Sequence, residues 1–348
     1  MSKQQATIKD IARKLRISVS TVSRALRSLP DVNPETKEKV QEMASQLNYE
    51  PNYIAQSLIN KKTRIIGVIV PEISSSVFSR ILSGMNEEAQ KHNYQLLVCQ
   101  SNENAKHETE LIRQLASFKI DGLLISISSQ TKSIESFEVL NKKEVPIVFF
   151  DRVLPDIDAT KVIVDEFQSS FTAVEHLIKC GHRNIVHLGG PPHLSISKDR
   201  KNGYIAALNK NKIAVNKKLI LSCSNFEKDA IVKIKKLFSH KPFPDGIFTI
   251  NDSSAVMVIK YLNKKGIRIP EEVAVIGFNN DPISEIVEPS LTTIMLPCNE
   301  IGRSAVNKLI DRISDPTLLP ETIVLHSKLI IRDSSRKLAV KRLTGQAV

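Results

Sequence analysis

Apolar residues recur with two different periods along this chain, and the change falls near residue 64. Before it, they repeat every three or four positions, as on one face of an α-helix. The stripes of three successive short helices are Ile8, Ile11, Ala12 and Leu15; Val22, Ala25 and Leu26; and Val40, Met43, Ala44 and Leu47. Thr7, Ser18 and Asn33 stand where N-caps belong, and Pro34 suits a first helical position. The pattern predicts a small three-helix domain.

The first two of these helices have helix-turn-helix spacing, because three or four residues separate them. In that geometry, the outward residues near the start of the second helix enter the DNA major groove. These residues are Val19, Ser20, Thr21, Ser23 and Arg24. Short hydroxyls can hydrogen-bond to base edges or phosphates, and the Val19 methyls can touch a thymine methyl. Spacing alone equally allows the solvated face of a small helix.

The segment "NYEPNYIAQSLINKKTR" predicts a fourth, marginal helix with Ile54, Ala55, Leu58 and Ile59 on one side. Such a helix is too short to be stable alone in water. Its basic flank suits a segment that folds only against DNA or a partner. Leu58 can act there as an apolar wedge in a minor-groove step.

From residue 64 onward, β-rich apolar runs alternate with helical stretches, which indicates doubly wound parallel sheets. The first series is 64–70, 95–99, 121–126 and 146–150; the second is 161–165, 184–188, 219–223, 245–250 and 273–277. The late runs 291–295 and 321–331 either return to the first lobe or pair as crossovers. Two similar lobes are expected, with ligands collecting in a cleft at the carboxyl ends of the strands.

Charge separates the two regions further. Net charge is +12 over 348 residues, and residues 1–64 carry twelve Lys and Arg against six Asp and Glu. Half of the surplus therefore lies in less than a fifth of the chain, which favours a nucleic-acid partner or another anionic surface. Four scattered cysteines predict reduced thiols, with no metal site and no cofactor. With no signal peptide or apolar membrane span, a cytoplasmic protein is expected.

Four motifs, "TIKDIA", "ISVSTVSRAL", "VNPETKEKV" and "LNYEPNYIAQSL", make the chain resemble the lactose-repressor (LacI/GalR) family of bacterial transcription regulators. The resemblance implies a recognition helix in the major groove and a hinge helix in the minor groove. It assigns to DNA binding Thr7, Ser18, Val19, Ser20, Thr21, Ser23, Arg24, Asn52, Ala55, Leu58 and Lys61. Arg16 departs from the family, which often has Gly or Asn there. If this position needs a positive φ, Arg costs on the order of 1 kcal/mol.

The rest of the chain resembles the same family and periplasmic sugar-binding proteins, through "DRKNGYIAAL", "VAVIGFNND" and similar stretches. The resemblance implies an effector in the cleft, held by Val77, Phe78, Asp151, Asp165, Arg200, Phe226, Asn251 and Asn279. Arg200 can fork onto vicinal hydroxyls or a carboxylate. The two Phe residues can instead belong to the core, Asp165 can serve only as a helix cap, and Asn279 can be a turn residue.

Together these features predict an all-α helix-turn-helix head and an α/β body of two doubly wound lobes. The expected boundaries are 1–49 for the DNA-binding domain, 50–63 for the hinge, 64–332 for the two-lobe body and 333–348 for a basic tail. No catalytic grouping stands out. The resemblance implies a homodimeric, ligand-responsive repressor of metabolic genes in the bacterial cytoplasm, nucleoid-associated when bound to DNA. It would bind a palindromic operator and a sugar or sugar derivative. The alternatives are a purine-like or other co-repressor, or a cytoplasmic sugar-binding protein or enzyme with a basic head.

Overall fold

The computed structural model describes residues 6–26, 29–49, 62–154, 157–223 and 226–336. These residues divide into two units that meet between Thr63 and Arg64, and we call the first unit the head and the second the body. Within these ranges, no helix has both the length and the apolar character that a membrane span requires.

Three helices form the described part of the head: α1 (Ile8–Leu15), α2 (Val19–Leu26) and α3 (Pro34–Gln46). Every predicted stripe residue belongs to their common core or packs against it, together with Val32, Ile17 and Tyr49, which the pattern did not single out. The predicted cap of α3 is confirmed, since Asn33 Oδ1 accepts a hydrogen bond from Glu35 N at 2.9 Å. The three-residue turn between α1 and α2 confirms the helix-turn-helix spacing.

Arg16 lies in that turn with φ 53° and ψ 40°, in the left-handed region. Its backbone N–H satisfies the last carbonyls of α1, so the turn needs this conformation. A side chain there brings Cβ close to the following carbonyl, which glycine avoids. The strain expected from the departure at this position is therefore present.

The body is built from strands and helices in alternation. Its strands are β1 (Ile65–Val70), β2 (Gln95–Gln100), β3 (Gly122–Ile125), β4 (Ile147–Phe150), β5 (Thr160–Val164), β6 (Ile185–Gly189), β7 (Ile220–Ser222), β8 (Gly246–Thr249), β9 (Ala274–Asn279), β10 (Thr292–Met295), β11 (Thr322–Leu325) and β12 (Lys328–Ile330). Its helices are α4 (Ser76–Lys91), α5 (Ala105–Ser117), α6 (Glu138–Asn141), α7 (Glu166–Lys179), α8 (Ser195–Lys210), α9 (Phe226–Leu237), α10 (Asp252–Lys264), α11 (Ile283–Ile286) and α12 (Cys298–Ser314).

The strands form two six-stranded sheets, which confirms the two-lobe prediction. Lobe 1 has the order β11-β5-β4-β3-β1-β2, and lobe 2 the order β12-β10-β9-β8-β6-β7. All pairs are parallel except β10 with β12. One assignment differs from the sequence prediction: the run 161–165 belongs to lobe 1, because buried parallel strands look alike in sequence whichever sheet they join. The sequence left the two late runs open. The run 291–295 joins lobe 2 as β10, whereas 321–331 divides: β11 returns to lobe 1, as one alternative allowed, and β12 joins lobe 2.

Helix α12 returns to lobe 1 and packs against α4 through two glycines. A Cβ on Gly84 would lie 2.3 Å from Asn299 O, and one on Gly302 would lie 2.2 Å from Ile81 O. The two backbones therefore approach too closely for any side chain. This contact holds α12, which comes late in the chain, against lobe 1, which contains the first strands.

Asp252, the first residue of α10, is buried at the centre of lobe 2. Its Oδ1 accepts from Thr293 Oγ1 and its Oδ2 from Asp281 N, both at 2.6 Å. A Cβ on Gly277 would lie 2.1 Å from Oδ1, so only glycine leaves room for this carboxyl. Burial raises the pKa of Asp252 to about 7, although both hydrogen bonds oppose that shift.

The first packed residues after β12 also belong to lobe 2. Ser334 N donates to Ser290 O at 2.8 Å, and Ser334 Oγ donates to Val275 O at 2.6 Å. Ser335 Oγ bonds to Thr292 Oγ1 at 2.7 Å. The segment at 333–336, which the sequence assigned to a basic tail, thus fastens onto β9 and β10.

Arg16→Gly is expected to stabilise the head by about 1 kcal/mol, because glycine removes the left-handed strain while increasing the entropy of the unfolded chain only modestly. Chemical denaturation of the full chain, followed by hydrogen exchange of head amides, measures this change. Lys14→Gly, inside α1, is the matched control and should destabilise the head by a similar amount. Equal effects of both changes would contradict the strain at Arg16.

Asp252→Asn is expected to alter how the free energy of unfolding depends on pH. The folded-state pKa lies above the unfolded value, so folding keeps a proton that the unfolded chain releases between about pH 4 and pH 7. Asp252 therefore destabilises the body progressively over that window. The stability of the variant relative to wild type should rise by about 2–3 kcal/mol from pH 5 to pH 8. Urea unfolding at both pH values checks this, and a constant difference would contradict the raised pKa.

Candidate DNA-binding surface and effector cleft

The start of α2 presents short polar side chains to solvent. Val19 is 41% exposed, and Ser18, Ser20 and Arg24 are exposed beside it. Ser18 Oγ accepts from Thr21 N at 3.0 Å and lies 2.7 Å from Ser20 Oγ. The Ser18 hydroxyl thus caps α2 while the helix face stays open. A face this flat can approach the floor of a major groove closely.

Other predicted DNA-binding residues of the head have intramolecular partners. The Thr7 hydroxyl donates to Asp10 Oδ2 at 2.7 Å, and this bond is the main reason why the pKa of Asp10 is lowered. Arg24 forms an exposed ion pair with Asp31. Thr21 and Ser23 are half-buried. Arg24 must exchange Asp31 for a base or phosphate to contact DNA, and exposed pairs of this kind cost little to exchange.

The hinge predictions, Asn52, Ala55, Leu58 and Lys61, lie outside the described residues. Their roles in the minor groove stay predictions.

A cavity of about 130 Å³ lies between the lobes of the body, where the strands of both sheets end. It is lined by Glu72, Ser75, Val77, Phe78, Glu103, Asp151, Arg152, Ile196, Arg200, Ile250, Asn251, Asn279 and Leu296. Six of the eight predicted effector residues are among them. These six residues could be predicted together because each lies at or just after the carboxyl end of a strand, or in the first two turns of the helix that follows.

Of the other two predicted residues, Asp165 is not among the residues that line the cavity, and the position of the Phe226 side chain is not described. Asp165 precedes α7, and its Oδ1 accepts from Gln168 N at 2.8 Å, as an N-cap does. Phe226 begins α9, but its side chain lies outside the described residues. The capping alternative for Asp165 thus matches its observed contacts.

Arg200 is buried and tied to its own lobe. Its Nε and Nη2 donate to the two Glu166 oxygens at 2.7 and 3.1 Å, and Nη1 donates to Ile250 O at 2.8 Å. The guanidinium also lies 3.6 Å from the centroid of the Phe278 ring. Three of its five N–H groups are used in these bonds, and one on each terminal nitrogen remains for a ligand.

Sequence reasoning missed Glu166, the partner of Arg200. Its carboxylate is buried, and burial raises its pKa, although Arg200 opposes this shift. A Glu in the first turn of a helix is common, because the helix dipole favours it. Nothing local therefore distinguishes Glu166 from an ordinary surface residue.

A second ion pair lies on the lobe 1 side of the cavity. Arg152 Nη1 donates to Glu103 Oε1 at 2.6 Å, and Ser129 N donates to Glu103 Oε2 at 2.6 Å. Burial alone would raise the pKa of Glu103, but Arg152 and the Ser129 bond lower it overall. The Arg152 guanidinium also faces the Phe78 ring at 5.9 Å. The charges of Glu103 and Arg152 cancel. The sequence analysis predicted neither residue as part of the effector site.

Asp151 has no close basic partner among the described ion pairs. It adopts φ 57°, and Ser126 Oγ reaches its Oδ2 at a long 3.4 Å. Burial raises the pKa of Asp151, and the more distant Arg152 and Arg200 oppose the shift. A desolvated carboxyl in a cleft, held in an uncommon backbone conformation, is typical of a ligand-binding position.

Two side chains of α4 reach across to lobe 2. Ser76 Oγ bonds to Asp281, and Arg80 Nη2 donates to Asn279 O at 2.8 Å. Arg80 lies 3.5 Å from Asp281 as well. These contacts join the lobes beside the cavity, so a ligand that changes the spacing of the lobes must act on them.

A larger groove of about 480 Å³ lies elsewhere on the body. Its walls are His176, Lys179, Cys180, Gly181, Ile331 and Arg336. It does not lie between the lobes and contains no carboxylate, so the cleft is the better effector site. Within the described ranges, no group of three or more His, Cys, Asp or Glu residues is arranged to hold a metal ion.

Two family models match the chain. "Bacterial regulatory proteins, lacI family" matches residues 7–52, and "Periplasmic binding proteins and sugar binding domain of LacI family" matches residues 63–333. The HTH-type transcriptional repressor PurR of Vibrio vulnificus (strain CMCP6) is 32% identical over 335 residues, which cover 96% of this chain and 99% of that protein.

Two solved structures are similar over nearly the full length. The lac repressor dimer bound to operator and the anti-inducer ONPF has a TM-score of 0.86 at 22% identity, over 95% of this chain and 99% of that one. A transcriptional regulator CelR–cellobiose complex has a TM-score of 0.73 at 25% identity, over 94% and 99%. With a matching head, a matching body and a relative above 30% identity, the chain belongs to the LacI family of bacterial regulatory proteins.

Proposed function

We propose that this DNA-binding regulator represses metabolic genes as a cytoplasmic homodimer, and that a small hydroxyl-rich molecule in the interlobe cleft controls it. The proposal rests on the cavity between the lobes. Buried charged residues line this cavity, and hydrogen bonds that connect the two lobes lie beside it. The proposal assigns the protein binding roles and no catalytic step. Paired heads suit an operator with two-fold symmetry.

The charges around the cavity favour a neutral, sugar-like ligand. Its lining contains the carboxylates of Glu72, Glu103 and Asp151 against the cations of Arg152 and Arg200. Glu166 neutralises Arg200 from behind, so the site has no surplus positive charge for a phosphate. Carboxylate and amide oxygens can accept hydrogen bonds from several hydroxyls. The cellobiose bound to the similar regulator CelR supports the sugar class.

The cavity volume limits the ligand size. About 130 Å³ is below the roughly 300 Å³ at which pockets for drug-sized molecules begin. It is close to the roughly 150 Å³ that holds one benzene ring in an engineered protein cavity. A monosaccharide-sized ring therefore suits the observed lobe spacing, whereas a disaccharide requires the lobes to separate.

A purine-like effector is the second candidate, because Phe78 contributes an aromatic face to the cavity. Sugar-like and purine-like ligands would interact with Asp151 differently. A polyol uses its carboxylate as an acceptor for hydroxyls, whereas a flat base depends mainly on stacking.

Effector control follows from a shift between lobe arrangements. A ligand changes an equilibrium only through its different affinity for the two states. The contacts of Ser76 and Arg80 with the loop after β9 are made in the arrangement described, and they are the elements that such a ligand would strengthen or break. In this proposal the segment at 50–61 transmits the change to the heads.

Leu58→Ala, at the predicted wedge, is expected to weaken operator binding at least tenfold without changing effector affinity, because the minor-groove insertion is lost. Fluorescence polarisation on a palindromic duplex selected from a random pool measures it, with a scrambled duplex for comparison. Ile54→Ala is the control, as it lies in the same segment without an assigned DNA contact. Equal affinity for selected and scrambled duplexes at about 150 mM salt would contradict sequence-specific regulation altogether.

Asp151→Asn is expected to weaken binding of the effector at least tenfold, because it removes the carboxylate acceptor from the cavity. Thermal-shift screens of monosaccharides, disaccharides and nucleobases identify the effector, and calorimetry on the variant gives the loss. Asp165→Asn makes the same charge change and keeps a good N-cap outside the cavity, so it should bind normally. A larger loss in Asp165→Asn than in Asp151→Asn would reject this site, and a nucleobase hit would reject the sugar.

A further inference from the structure

The edge of lobe 2 opposite the cleft is strongly basic. Parallel strands place their amino ends together, and registers such as Ile185 with Gly246 and Gly246 with Ala274 align β6, β8 and β9 there. Four segments lead into β6, β7, β8 and β9: residues 179–184, 209–218, 235–245 and 263–272. We call this the amino-edge surface.

These four segments carry twelve Lys and Arg against three Asp and Glu. Their surplus of +9 exceeds the +7 of the whole body, residues 64–348, so the remainder of the body is net negative. The cations are Lys179, Arg183, Lys210, Lys212, Lys217, Lys218, Lys235, Lys236, Lys241, Lys264, Lys265 and Arg268, and each is exposed. Basic charge is therefore concentrated at two places in the protein, the head and this edge of lobe 2.

Two of the three acidic groups in these segments, Asp245 and Glu272, already have internal partners. Asp245 accepts from the backbone of Arg183 and Asn184 at 2.9 and 2.8 Å, which joins two of the segments. Glu272 accepts from Arg268 Nε at 3.1 Å. Glu175, just before the first segment, lies 2.9 Å from Lys179 and 2.8 Å from Lys210. They leave most of the lysines unneutralised.

Helix termini account for only part of the basic charge. Helices α7, α8, α9 and α10 all end at this edge, where lysines in the last turn complement the helix dipole. Lys212 and Lys241 lie beyond those last turns, in loops, and Lys217 and Lys218 begin a short 3-10 turn before β7. These four lysines therefore need another explanation.

We propose that the amino-edge surface is a second, sequence-independent binding site for duplex DNA, separate from the head. Ten of its twelve cations are Lys, which binds phosphates as a point charge but is depleted in protein–protein interfaces. These segments, all of them described, contain no exposed large apolar side chain to anchor a protein partner. Four neighbouring strands span about 14 Å, along which a duplex presents about eight phosphates.

This site gives the regulator a second contact with the same macromolecule. Once the heads hold one DNA segment, another segment binds at an effective concentration set by the tether rather than by the bulk solution. The protein can thereby bridge two stretches of duplex without a further oligomerisation domain. Because the contacts are to phosphates, the bridge weakens steeply with salt.

The test uses the full chain and a 40-bp duplex without operator sequence. Recognition-face variant Ser20→Glu/Arg24→Glu blocks the head by placing carboxylates against phosphates. In that background, Lys212→Gln/Lys217→Gln/Lys218→Gln/Lys236→Gln removes four amino-edge charges. Lys106→Gln/Lys132→Gln/Lys142→Gln/Lys328→Gln removes four exposed charges elsewhere on the body and is the matched control. Polarisation titrations from 50 to 200 mM KCl give the affinities and salt slopes, and thermal unfolding confirms that all variants fold.

The head-blocked protein is expected to keep salt-dependent duplex binding. The amino-edge variant should reduce the slope of log K against log[salt] by about 2 to 4 and the affinity at 50 mM more than tenfold. The control should change the slope by less than about 0.5. Equal slopes for the two quadruple variants would overturn the proposal, as would an amino-edge variant that keeps DNA binding but loses affinity for polyglutamate, a model acidic protein.

Discussion

The buried pair between Arg200 and Glu166 is the interaction on which the effector cleft depends. It fastens α7 to α8, and its third bond, to Ile250 O, fixes the end of β8 beside the cavity. The Phe278 ring closes the remaining side. Removing one partner would strand a buried charge at a cost of about 3–5 kcal/mol, so Arg200 is structural as well as ligand-facing. A test of ligand binding therefore has to begin at Asp151, which has no such partner.

The two edges of lobe 2 have opposite chemistry. At the carboxyl edge, backbone amides and helix N-termini converge on carboxylates, as at Asp252, and the cleft is walled by balanced charges. At the amino edge, helix C-termini and loops collect lysines. Parallel strands impose this division, because every helix in a doubly wound sheet begins at one edge and ends at the other. The small-molecule site and the proposed duplex site are consequently held apart by the sheet.

Two positions with assigned or proposed roles hold their backbone in the left-handed region. Arg16 keeps a left-handed backbone in the turn that sets the angle of α2, and Asp151 does so at the edge of the cavity. Both conformations cost free energy that the surrounding structure supplies. The hydroxyl-rich start of α2 also has a cost, because Ser and Thr lower its helix propensity. In return, these residues give the helix a flat polar face.

The sequence by itself determined the helix-turn-helix head, the alternation of strands and helices, and six of the residues that line the cavity. It could do so because helical and strand periodicities are local, and because the carboxyl ends of parallel strands converge whatever the details. Tertiary structure alone decided which sheet receives 161–165 and how 321–331 divides. It also decided that Glu166 pairs with Arg200. These outcomes depend on contacts between residues far apart in the chain. Local sequence patterns do not predict which distant residue a side chain contacts.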